Sequence, residues 1–103
     1  MYIGKVKLSN EWQKLEDVIK AQVEGQSGFA FSNGKDYQLQ GEGNYAVRLC
    51  DSSALPADAQ DGERIAETQT AIYQKDNSSE LYVRTEQDIP SGNVWLKISE
   101  IGA

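Results

Sequence analysis

A chain of 103 residues with 39% hydrophobic and 25% charged residues has a globular composition and the length of a single domain, 1–103, which excludes intrinsic disorder. Sixteen acidic residues against ten basic ones give a net charge of −6, and the basic residues are scattered singly in sequence, so nucleic acid is not expected as a partner. The chain has no histidine and one cysteine, Cys50, which removes Ser-His-Asp and Cys-His catalysis, the commonest zinc sites and any intrachain disulfide.

Residues 2–8, Tyr-Ile-Gly-Lys-Val-Lys-Leu, alternate apolar with basic and predict a first strand, with Gly4 as a bulge. Nothing in this N-terminus resembles the apolar segment of a signal peptide, and no apolar run reaches membrane length. The chain is therefore expected to be made in the cytoplasm, without export and without a membrane partner. The period then changes: Leu8, Trp12, Leu15 and Ile19, with Val18 beside them, predict a short amphipathic helix over 11–20. Asn10 and Gln13 suit a capping box, and Glu11 falls in the first turn. Trp12 is expected to pack on the sheet.

Phe29-Ala-Phe31 reads as a short strand, Asn33-Gly34 as a hairpin turn and Tyr37 to Gln40 as the returning strand. Gly41 to Asn44 reads as the next turn, and Tyr45 to Cys50 as a strand with Tyr45, Val47 and Leu49 on one face. Asp51 to Gly62 is the longest irregular stretch, either a contact loop or a crossover between sheets. Arg64 to Ala66 and Thr68 to Lys75 supply one long strand or two short ones, and Asp76 to Ser79 a polar turn.

The end of the chain carries the strongest β pattern. Glu80 to Thr85 and Asn93 to Ser99 both alternate, and Glu86 to Gly92 between them, with Pro90 and Gly92, reads as a hairpin loop. Period 2 turns Leu81, Val83, Val94, Leu96 and Ile98 inward. It leaves Tyr82, Arg84, Trp95 and Lys97 on the opposite face, which is either covered within the chain or offered to a partner. These four are the candidate partner-binding residues, because Tyr, Trp and Arg are favoured at protein contacts. Seven or eight strands, with turn signals every eight to twelve residues and one short N-terminal helix, predict a mainly β fold. The expected architecture is an antiparallel β-sandwich or a jelly-roll-like barrel.

No motif carries chemistry. The glycines punctuate turns and form neither GxGxxG before a helix nor GxxxxGK[ST]. The acidic pairs Glu16–Asp17, Asp58–Asp61 and Glu63–Glu67 read as solvated surface rather than as a glycosidase pair. Asp51, Asp58 and Asp61 lack EF-hand spacing. Cys50, ending an apolar strand, reads as a small buried hydrophobe. No enzyme activity, metal or cofactor is expected.

One resemblance spans most of the chain. Trp12-x-x-Leu15, Phe29-Ala-Phe31, Tyr37-Gln-Leu39, Ala46-Val-Arg-Leu49, Leu55-Pro56, Gly62-Glu63, Leu81-Tyr-Val-Arg-Thr85 and Val94-x-Leu-x-Ile98 occur in this order. The series resembles small β-rich phage and prophage virion proteins of the head-decoration or tail-associated type. That resemblance implies a non-enzymatic part that assembles with itself as a homo-oligomer or with other virion proteins. The chain lacks the fibre repeats and heptads of a shaft. A small carbohydrate- or ligand-binding β-domain, with Trp95 as a stacking platform, is the alternative expectation.

Overall fold

The computed structural model describes residues 1–43, 46–58, 61–66, 69–75, 78–85 and 94–101. Eight strands and one helix run in the order β1 (Tyr2–Lys7), β2 (Gln13–Lys14), α1 (Leu15–Gln22), β3 (Asp36–Gly43), β4 (Val47–Ser52), β5 (Glu63–Ile65), β6 (Thr70–Gln74), β7 (Glu80–Thr85) and β8 (Val94–Ile101). They form two four-stranded antiparallel sheets, ordered β1-β8-β3-β6 and β2-β7-β4-β5. The expected mainly β sandwich is therefore present, and two sheets rather than a closed barrel make it.

Alternation builds the core between the sheets. The first sheet contributes Val6, Tyr37, Leu39, Tyr73, Val94, Leu96 and Ile98, and the second Val47, Leu49, Ile65, Leu81 and Val83, all in one buried cluster. The register fixes these faces, with Leu39 opposite Ile98 and Gly41 opposite Leu96 in one sheet and Leu49 opposite Val83 in the other. Gly41 to Gly43 lie inside β3 rather than in the expected turn. A side chain at Gly41 would point between the sheets, towards the Ala66 carbonyl oxygen at 3.4 Å and a Val47 methyl at 3.7 Å. This glycine is thus a close-packing position, and its composition alone mimicked a turn. Asn44 and Tyr45 lie outside the described residues.

The helix starts later than its periodicity predicts. Leu15, Val18 and Ile19 are buried on one helical face, and Glu16 and Asp17, not Glu11, fill the first turn. Lys14 stands at the N-cap with no side-chain cap bond, so the capping box at Asn10 and Gln13 is not formed. Strand pairing takes this stretch instead: Thr85 N–H donates to the Ser9 carbonyl at 2.9 Å, and Gln13 and Lys14 pair with Val83 and Tyr82. Backbone bonds to a neighbouring strand cannot coexist with a helical turn over the same residues. At the other end, Gly4 admits Val23, whose methyl would sit 2.7 Å from an added Cβ, and the register of β1 shifts between Tyr2 and Gly4 as a bulge.

Two expected hairpins are corrected. Gly34 has a positive φ of 78° and Lys35 N–H bonds the Ser32 carbonyl, so the turn at Asn33-Gly34 exists. Phe29 to Phe31 is not a strand, however; β3 pairs with β6 and β8. Phe31 instead meets Tyr37 and Tyr73 edge-on, with centroids 4.7 and 5.2 Å apart, while Phe31 N–H donates to Glu16 Oε1 at 2.8 Å. The larger correction concerns β7 and β8, which belong to different sheets. Each is an interior strand with two neighbours, and a buried inner face produces the same alternation whichever neighbours it has. The proposed loop, 86–92, lies outside the described residues.

Of the two readings of the 51–62 stretch, the crossover is ruled out. β4 continues to Ser52, and the remainder joins it to its own neighbour β5, so it is no crossover between sheets.

Candidate functional site

The four predicted contact residues do not share a face. Tyr82 and Arg84 lie on β7 in the second sheet, and Trp95 and Lys97 lie on β8 in the first. Tyr82 and Arg84 are also only 6% and 7% exposed, which corrects the expectation that they look outward to a partner. For Arg84, Trp12 provides the reason. Its ring lies over the Arg84 guanidinium at 5.9 Å, and its indole N–H donates to the Asp58 carbonyl at 3.0 Å, bringing the segment after β4 back to this face. Arg84 Nε donates to the Thr85 carbonyl at 2.9 Å. On β7 the outer face of the second sheet is therefore buried within the chain.

The outer face of the first sheet is different. The register sets Lys7, Trp95 and Glu42 in one cross-strand row, and Lys5, Lys97 and Gln40 in the next. Lys97 Nζ and Lys5 Nζ reach the two oxygens of Glu42 at 3.1 and 3.3 Å. The ammonium groups of Lys5 and Lys7 stand 4.8 and 5.9 Å from the centre of the Trp95 ring. Cations over an indole face are attracted by its quadrupole, by about 0.5–1 kcal/mol at exposed sites. Trp95 and the three lysines thus form a cationic, aromatic surface around one carboxylate, on a chain that is acidic overall.

Of the residues that join Trp95 and Lys97, Lys5 and Lys7 were visible in the basic alternation of the first strand. Glu42 was hidden because Gly41 to Asn44 imitates a turn. The hydrogen bonds from Lys97 and then Lys5, with the charges behind them, hold the Glu42 carboxyl below its ordinary value of 4.5. A depressed carboxylate stabilises the folded state at and above its unfolded value, and that contribution disappears as pH falls through the folded value. Lys97→Met is expected to move Glu42 back towards 4.5, read by NMR titration of its side-chain carboxyl. An unchanged titration would mean that the bond to Lys97 is not populated in solution.

A second feature lies at the side of the sandwich. Between β6 and the β4–β5 pair is a hollow of about 300 Å³. Leu39, Leu49, Ala71 and Leu81 contribute apolar walls, and Cys50, Asp51 and Glu63 are among its polar lining. Cys50 is half-buried rather than fully buried as expected. Desolvation, then the charges of Asp61 and Asp51, push its thiol upward. Because the thiolate is the nucleophile, Cys50 should react with a disulfide reagent at pH 8 more slowly than the same cysteine in the urea-unfolded chain. Asp61→Asn should speed the folded reaction; equal rates in the folded forms would remove the electrostatic part of this account.

The acidic pairs serve local structure. Glu16 receives Phe31 N–H, Asp17 lies 3.9 Å from Lys20, and Asp58 N–H donates to Asp61 Oδ2 at 3.1 Å. Glu67 of the third pair lies outside the described residues. Among the described residues no three Cys, Asp or Glu side chains converge as metal ligands, and no helix is long and apolar enough to cross a membrane. No protein-family model, curated protein or solved structure matches the chain.

Proposed function

We propose that this chain is a non-enzymatic assembly module that works through protein–protein contacts, as a structural part of the head-decoration or tail-associated virion type. The observation that carries this reading is the outer face of the first sheet, where Trp95 sits among Lys5, Lys7 and Lys97. Aromatic residues anchor contacts, and charges of one sign steer and orient a partner of the other. With a net charge of −6, the chain outside this face is acidic on balance, so a second copy carries charge of the opposite sign. The partner is therefore a second subunit or another acidic structural protein.

Light scattering over a range of concentrations at low and high salt tests this. Mass should rise with concentration, and this face's share should fall with added salt and with Lys5→Glu, Lys7→Glu and Lys97→Glu combined. A single-subunit mass under all conditions, with no co-sedimentation with phage particles, would overturn it. The hollow of about 300 Å³ favours a second reading, a small-ligand-binding domain, since its size reaches the lower end of ligand pockets. Methyl NMR shifts of Leu39 and Leu81 on titration with small apolar ligands and sugars would test it. Stacking of a sugar on Trp95 is less favoured, because Lys5 occupies that ring's surroundings.

A further inference from the structure

Among the described residues, three of the sandwich's four sheet edges are short or blocked. β2 has two residues and β5 three, too few to template another strand. β1 is longer, but the Gln22 amide lies against its outer side, donating to the Lys7 carbonyl and accepting Lys7 N–H, both at 2.8 Å. Val23 also packs on Gly4 of that strand.

β6 is the exception. Its sequence, Thr-Ala-Ile-Tyr-Gln, contains no charge and no proline, the usual devices against edge pairing. Gly41 N–H bonds the Gln69 carbonyl, so alternation along the β3–β6 ladder turns the backbone groups of Ala71 and Tyr73 towards β3. Those of Thr70, Ile72 and Gln74 then point away from the sheet, and among the described residues no strand pairs with that side. Ile72 is 60% exposed.

We infer that β6 pairs antiparallel with β6 of a second copy about a two-fold axis at Ile72, joining two first sheets into one continuous sheet. The strand is self-complementary in this register. Ile72 faces Ile72 of the other copy across a hydrogen-bonded pair, and Thr70 faces Gln74, so no like charges oppose and two exposed apolar side chains meet. A second copy fits better than an unrelated strand for this reason. The inference deepens the assembly reading by naming a partner, yet uses a surface separate from the Trp95 face.

Salt and cross-linking test it. Dimerisation through this uncharged edge should persist in high salt and weaken at least tenfold in Ile72→Lys, which opposes two ammonium groups at the axis. In a Cys50→Ser background, Ile72→Cys should form an intermolecular disulfide readily, because directly paired strand residues lie about 5.5 Å apart at Cα, within disulfide reach. Gln74→Cys should not, since its partner in this register is Thr70. Circular dichroism of each variant guards against unfolding as the cause. A dimer that dissolves in salt and tolerates Ile72→Lys would leave assembly standing and overturn the edge contact. A monomer at every concentration would overturn both, and an edge that takes up an extended peptide but not another copy would overturn the choice of partner.

Discussion

Gly62→Ala is expected to be among the most damaging single substitutions in this chain, lowering stability by about 2–4 kcal/mol. Gly62 has a φ of +81°, which costs an L-residue about 1–2 kcal/mol. An added Cβ would also run into the Leu49 carbonyl oxygen and stand 2.9 Å from the Cys50 Cα. Those atoms are strand backbone, held in place by pairing with both β5 and β7, and cannot move aside like a side-chain tip. Gly34→Ala is the matched control, since its φ is +78° with nothing within 4 Å of the new methyl. The control isolates backbone strain, and the difference between the two variants isolates the clash. At about 4–8 °C per kcal/mol for a domain of this size, Gly62→Ala should lower Tm by at least about 8 °C. Equal losses for the two alanines, in thermal or urea unfolding, would refute the clash.

Leu96→Ala should cost about 2–5 kcal/mol, the usual range for removing a buried leucine side chain beyond Cβ. Leu96 is fully buried in β8, flanked across the strands by Val6 and Gly41. Gly41 has no side chain to fill the space, so the site collapses poorly and the cavity remains. Trp95→Ala, one residue away on the outer face, should cost clearly less despite the larger side chain removed. The contrast, read from urea midpoints at constant m, tests the face assignment of β8 directly. If Trp95→Ala proved the more damaging, the inner and outer faces would have to be exchanged.

The two substitutions act on the scaffold, and the proposed contacts lie on its periphery. The Trp95 face and the β6 edge can therefore be altered without disturbing the core, which makes their association measurable apart from folding. A salt-sensitive contact and a salt-insensitive one on a single small sandwich would allow branching rather than simple pairing of subunits.

Local periodicity was enough to read the mainly β class, the inner faces of β4 and β8 and the bulge at Gly4, because alternation is a property of each strand by itself. It also exposed Lys5, Lys7, Trp95 and Lys97, half of whose significance depends on lying side by side. It could not choose partners. Whether Val83 meets Leu49 or a residue of β8 changes nothing in the alternation of either strand, so the separation of β7 and β8 into different sheets was decided only in three dimensions. The same holds for cover. Tyr82 and Arg84 alternate like outward residues yet are buried, and for Arg84 it is the return of Trp12, held by the Asp58 carbonyl, that supplies cover. Non-local contacts of this kind leave no mark on sequence spacing, because the burying group belongs to a distant segment whose own pattern is satisfied in several other places.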